Sequence, residues 1–135
     1  MKYFFAIALV LPNLAFASIT VSKQAVREAP PSSTMTAAYM ELHNQGKKTD
    51  FLESVSSPDA KIEMHITTME DGMMSMEEVK ALEVPAKGKL IFKPGGTHLM
   101  LRNLKRVLKA GQKIEMKLMF RSGKTLSLSV PVKAL

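Results

Sequence analysis

The 135 residues contain no cysteine. That excludes thiol redox chemistry, cysteine nucleophiles, cysteine-rich zinc sites and the His-His-Cys copper site of blue electron carriers. It also excludes disulfides, so any folded part is held by packing alone. Tryptophan is absent, and the aromatics are six Phe and two Tyr. No basic run with interleaved aromatics exists for nucleic acid to stack on. No apolar run is long enough to cross a bilayer. The longest, Tyr3 to Leu11, ends at Pro12-Asn13, short of the roughly 20 residues a spanning helix needs. Catalytic signatures are missing too: no nucleophile elbow, no metalloprotease helix motif and no glycine-rich phosphate loop. The adjacent acids Glu70-Asp71 and Glu77-Glu78 read as solvated turn residues, not a catalytic pair. No enzyme is expected.

What is present begins like an address label. Lys2 gives a positive start, Tyr3 to Leu11 an apolar centre, and Ala15-Phe16-Ala17 a small-residue cleavage site. This is the layout of a secretory signal peptide, residues 1–17, cut after Ala17. The expected product is periplasmic, with one domain over residues 18–135, a usual domain size. The formal charge is +7. The lysines are scattered along the chain, so they read as a solvated face. Neither nucleic acid binding nor stable membrane insertion is expected.

The rest reads as strands and turns. Thr36 to Leu42 alternates, with Ala38, Met40 and Leu42 on one side. Ile114, Met116, Leu118 and Phe120 share a face, as do Leu126, Leu128, Val130 and Val132. Such period-two patterning marks half-buried antiparallel strands. Shorter candidates are Ile19–Ser22, Phe51–Val55, Ile62–Ile66, Lys89–Phe92 and His98–Arg102. Turn signals separate them: Asn44-Gln45-Gly46, Ser57-Pro58-Asp59, Asp71-Gly72, Pro94-Gly95-Gly96, Ala110-Gly111 and Ser122-Gly123. The fold class is therefore all-β, a sandwich or barrel. Leu101 to Leu108 alone has spacing compatible with a partial helix.

Methionine is abundant, 11 of 135 residues, and two of the three histidines lie among methionines. His98 and Met100 are two apart, so on a strand they share a face while Leu99 and Leu101 point to the core. Asp71-Gly72 is a two-residue hairpin signal. It pairs residue 70 with 73 and sets Met76 opposite Thr67, so His65 and Met76 become diagonal neighbours about 7–8 Å apart at the backbone. Two pairs result, each with one imidazole and one thioether. Thioethers are soft and neutral and suit Cu(I), whereas zinc, calcium and magnesium take harder donors. An amino-terminal Cu(II) site is not expected, because the third residue after cleavage is Thr20, not His. His43 shares a face with Tyr39 and Glu41 and reads as a surface residue. Met64, Met69, Met73 and Met74 are open to two readings, packing side chains or a collar around the site.

Ten residues separate His65 from Met76, twenty-one separate Met76 from His98, and one separates His98 from Met100. This spacing resembles the signature H-x10-M-x21-H-x-M of the periplasmic copper chaperones written PCu(A)C. Ala38-Tyr39-Met40, Asn44, Glu63, Lys93-Pro94-Gly95-Gly96 and Leu99 to Leu104 extend the resemblance over most of residues 18–135. Ile66-Thr67-Thr68 and Ser75 to Glu78 depart from it. The resemblance implies a cupredoxin-like Greek-key sandwich and Cu(I) ligands His65, Met76, His98 and Met100. It also implies a carrier that supplies the dinuclear copper centre of cytochrome oxidase, often beside Sco-type proteins; a monomer is expected. A copper buffer that only sequesters the ion, and a non-metal adhesive sandwich, are the alternatives.

Overall fold

The computed structural model describes residues 18–135. The leader-like start and its cleavage site, residues 1–17, lie outside the described residues. Ten strands are formed: β1 (Ile19–Arg27), β2 (Thr36–Asn44), β3 (Asp50–Ser56), β4 (Lys61–Glu70), β5 (Met73–Val79), β6 (Leu82–Val84), β7 (Lys89–Phe92), β8 (His98–Arg102), β9 (Lys113–Phe120) and β10 (Thr125–Lys133). Hydrogen bonding runs in the order β5-β4-β8-β2-β1-β10-β9-β3-β6, and β7 joins β2. Every pairing is antiparallel except β1 with β10. The all-β class expected from the patterning is the one formed, and the cupredoxin-like sandwich is the one the resemblance implies.

The alternating positions supply the core. Ala38, Met40 and Leu42 of β2 are buried, as are Ile114, Met116, Leu118 and Phe120 of β9 and Val130 and Val132 of β10. They pack with Val26, Leu52, Leu99 and Leu101 in one apolar cluster. Burying each such side chain contributes about 1.5–3 kcal/mol, so this layer dominates the stability. The turns behave as their residues require. Asp71 and Gly72 both have positive φ, 51° and 74°, the geometry of a type I′ turn that matches strand twist.

Three regions differ from the sequence reading. β6 and the full length of β1, to Arg27, were not visible as alternation. Residues 103–112 are not helical: the N–H of Leu104 donates to Thr34 and that of Lys105 to Asp59. Leu108 is nonetheless fully buried, and its carbonyl accepts from Ala29. The helix-like leucine spacing serves a loop whose amides bond to distant segments instead of to each other.

β7 and β8 follow one another along the same edge of β2. Met40 pairs with Phe92, while Ala38 pairs with Leu99. Between them the chain makes an excursion through Pro94-Gly95-Gly96, closed where the Lys93 N–H donates to Thr97 (2.8 Å) and the Gly96 N–H to Lys93 (3.2 Å). β8 is thereby delivered between β2 and β4, which places His98 beside β4.

Candidate metal centre

β4 binds β5 on one side and β8 on the other. The Asp71-Gly72 hairpin pairs Glu70 with Met73 and Thr67 with Met76, as the turn chemistry predicts. On the other side His65 pairs with His98 and Glu63 with Met100. Directly opposed residues project from the same face of a sheet. His65, His98, Met100 and, diagonally, Met76 therefore gather on one face, the one turned away from the apolar cluster. Leu99, Leu101 and Met64 occupy the core side. The direct opposition of the two histidines was not legible in the sequence.

Although they stand on the outer face, three of the four are nearly covered. His65 is 7% exposed, His98 8% and Met100 7%, whereas Met76 on the edge strand is 56% exposed. The imidazole rings stack with centroids 5.8 Å apart and planes 25° from parallel. His98 Nδ1 lies 2.9 Å from the Gly96 carbonyl. A carbonyl only accepts, so Nδ1 carries the proton and a neutral ring keeps its lone pair on Nε2. That is how proteins orient a ligating histidine, and it gives the glycine excursion a purpose. His65 makes no hydrogen bond at either ring nitrogen. A buried polar ring without a partner is costly, and this one stands beside a second imidazole and a thioether.

Charge around the cluster is balanced. Arg102 Nε lies 2.8 Å from Glu63 Oε1 and 3.4 Å from Met100 Sδ. Glu63 Oε1 is also 3.6 Å from His65 Nε2. The carboxylate offsets the guanidinium, so a monovalent cation meets no uncompensated positive charge. Among the described residues no three His, Cys, Asp or Glu side chains converge as a metal-binding group. The two imidazoles and two thioethers on this face are donors that suit a soft ion.

His43 is accounted for otherwise. Its Nε2 lies 3.0 Å from Ser22 Oγ and 3.2 Å from Glu41 Oε2, away from the cluster. Met35 was missed in the sequence. It lines a cavity of about 330 Å³ with Arg27, His98 and Met100. Its only signal is the register of β2, which begins at Thr36 opposite Leu101. Met64 is core, whereas Met69, Met73 and Met74 are exposed on the hairpin.

Comparison with known proteins agrees with this fold. The family model described as "LpqE-like: Putative lipoprotein LpqE-like" matches residues 19–132. "Putative lipoprotein Lxx21020" of Leifsonia xyli subsp. xyli is 39% identical over 117 residues, covering 85% of this chain and 69% of that one. The solution structure of Cu(I)-bound DR1885 from Deinococcus radiodurans is similar at 36% identity and TM-score 0.68, over 95% of this chain and 83% of that one. The copper-bound PCuAC domain from PmoF2 is 22% identical with TM-score 0.74, over 89% and 97% of the two chains, and shares the fold.

Proposed function

The chain belongs to the LpqE-like family, and from that premise we propose that it is an exported carrier of Cu(I), not a catalyst. One observation carries the reading: a buried, stacked His65–His98 pair with unused nitrogen lone pairs, flanked on its own face by Met100 and Met76. The similarity to a Cu(I)-bound relative supports the choice of ion. His65, His98 and Met100 form the fixed part of the ligand set. Met76 is the detachable part, because it alone is solvent-exposed.

Two thioethers and two neutral imidazoles leave the +1 ion with only its own charge and favour Cu(I) over Cu(II). A carrier must hold its cargo firmly and still surrender it. An acceptor's ligand replaces Met76 first, and the three covered donors then release in turn. No electron is exchanged, so the ion leaves as it arrived. The acceptor is the dinuclear copper centre of cytochrome oxidase, directly or through a Sco-type protein. Export rests on the leader-like start. The 135 residues hold no cysteine, so no thiol among them carries a lipid.

X-ray absorption of the protein loaded with one equivalent of Cu(I) tests the ligand set, with two sulfur and two nitrogen neighbours expected. An all-nitrogen or oxygen shell would refute it. Delivery is tested by mixing loaded protein with the soluble copper domain of the oxidase. Copper that stays behind identifies a store.

A further inference from the structure

The hairpin of β4 and β5 carries more sulfur than the four-donor cluster uses. Met69 pairs with Met74, and Thr67 with Met76. Residues 69, 74 and 76 therefore share the face of His65. Glu70 and Met73, flanking the two-residue turn, form the hydrogen-bonded type of pair. Met69 and Met74 then form the narrower type, with Cα atoms about 4.5 Å apart. Met76 is the diagonal neighbour of Met69, about 7–8 Å away at the backbone, within reach of flexible thioether side chains. All three are open to solvent: Met69 is 69% exposed, Met74 65% and Met76 56%. On the opposite face Thr68 Oγ1 and Ser75 Oγ hydrogen-bond at 2.9 Å, which fixes the register from behind. A solvated edge hairpin gains little stability from unbranched apolar side chains, but three sulfurs on one face within reach of one another are a potential donor set.

We propose that Met69, Met74 and Met76 form a second, weaker site for a soft monovalent ion, on which Cu(I) is received before it reaches the histidines. This rests on the reading of the buried cluster given above. Met76 belongs to both sites and is the pivot. The transfer is a ligand substitution with no change of oxidation state. Bonds from Met69 and Met74 sulfur break as bonds from the His65 and His98 nitrogens and Met100 sulfur form, and the Met76 bond persists. Three neutral thioethers bind more loosely than a set that includes imidazole, so the ion moves inward.

The test uses the whole protein with methyl-labelled methionine, titrated with Ag(I) and with Cu(I) supplied from a competing chelator. The first equivalent shifts the Met76 and Met100 methyl signals, and a second, weaker equivalent, for which Met76 is shared between the two ions, shifts those of Met69 and Met74. The double variant Met69→Ile/Met74→Ile, which keeps apolar, strand-favouring residues, retains first-equivalent affinity within about twofold. It loses the second equivalent, and its rate of uptake from the chelator falls about tenfold. A second equivalent that leaves Met69 and Met74 unmoved, or a double variant that loads at the wild-type rate, overturns the proposal. Failure to bind even the first equivalent refutes the buried site instead, so the two failures are distinct.

Discussion

Replacing His65 with leucine should make the metal-free protein more stable and the metal-loaded protein less so. In the structure His65 is buried and neither ring nitrogen has a hydrogen-bond partner. An unpaired buried polar group costs about 1–3 kcal/mol. Leucine has nearly the same volume, suits a covered strand position and removes that cost. The lost stacking against His98 offsets part of the gain, about 0.5–1.5 kcal/mol for an aromatic pair. The net for His65→Leu is about 0.5–1.5 kcal/mol of added stability without metal. For a domain of this size the melting temperature rises by about 4 °C per kcal/mol, so the expected increase is about 2–6 °C. With Cu(I) buffered at about a thousand times the dissociation constant, the wild type gains about 4 kcal/mol by mass action. The variant, short of one ligand, gains far less, so the order of the two melting temperatures reverses. Thermal unfolding followed by circular dichroism, with and without chelator-buffered Cu(I), measures both halves. A metal-free variant that melts below the wild type, or one that keeps the full Cu(I)-dependent rise, would show that the unpaired imidazole is not a site awaiting an ion.

Met76→Ile should lower Cu(I) affinity at least about tenfold while shifting stability by less than about 0.5 kcal/mol, because the residue is exposed. Met100→Ile should lower affinity similarly but cost up to about 1.5 kcal/mol of stability, as a reshaped buried side chain does. Chelator competition and urea unfolding separate the two quantities. Gly72→Val should weaken copper binding without touching a ligand. A Cβ there meets no atom within 4 Å, but the positive φ is strained for a branched residue, costing about 1–2 kcal/mol at the turn that sets Met76 in register. Wild-type affinity with the hairpin intact by amide exchange would contradict this. Protons compete with the ion for imidazole lone pairs but not for thioethers. Acidification should therefore weaken first-equivalent Cu(I) binding and leave binding to the hairpin sulfurs unchanged, a contrast read directly from paired titrations.

Local chemistry made part of this site legible and topology hid the rest. The turn at Asp71-Gly72 fixes its own register, so the position of Met76 opposite Thr67 follows from the sequence. The shared face of His98 and Met100 follows from strand periodicity. The opposition of His65 and His98 does not, because it depends on β8 inserting between β4 and β2, a long-range choice that no local pattern encodes. Met35 escaped notice for the same reason: it shares a cavity with His98 and Met100 only through the β2–β8 pairing. The Leu101–Leu108 stretch misled because its leucines are spaced as on a helix, while Asn103 takes φ +51° and the next amides bond elsewhere. His43, read as a surface residue beside Tyr39 and Glu41, is half-buried and lies against Ser22 and Glu41.

The five-residue detour between β7 and β8 has a consequence for how the molecule matures. His98 reaches its place only after two separate stretches of one chain have zipped onto the same border of β2, and His65 meets it only when β4 closes on the far side. A nascent or partly threaded polypeptide thus offers scattered sulfurs but no paired imidazoles. Loading is in this way made conditional on completed assembly, and an error at the seam of Ala38 and Leu99, behind the histidines, would surface as lost cargo before it surfaced as lost shape.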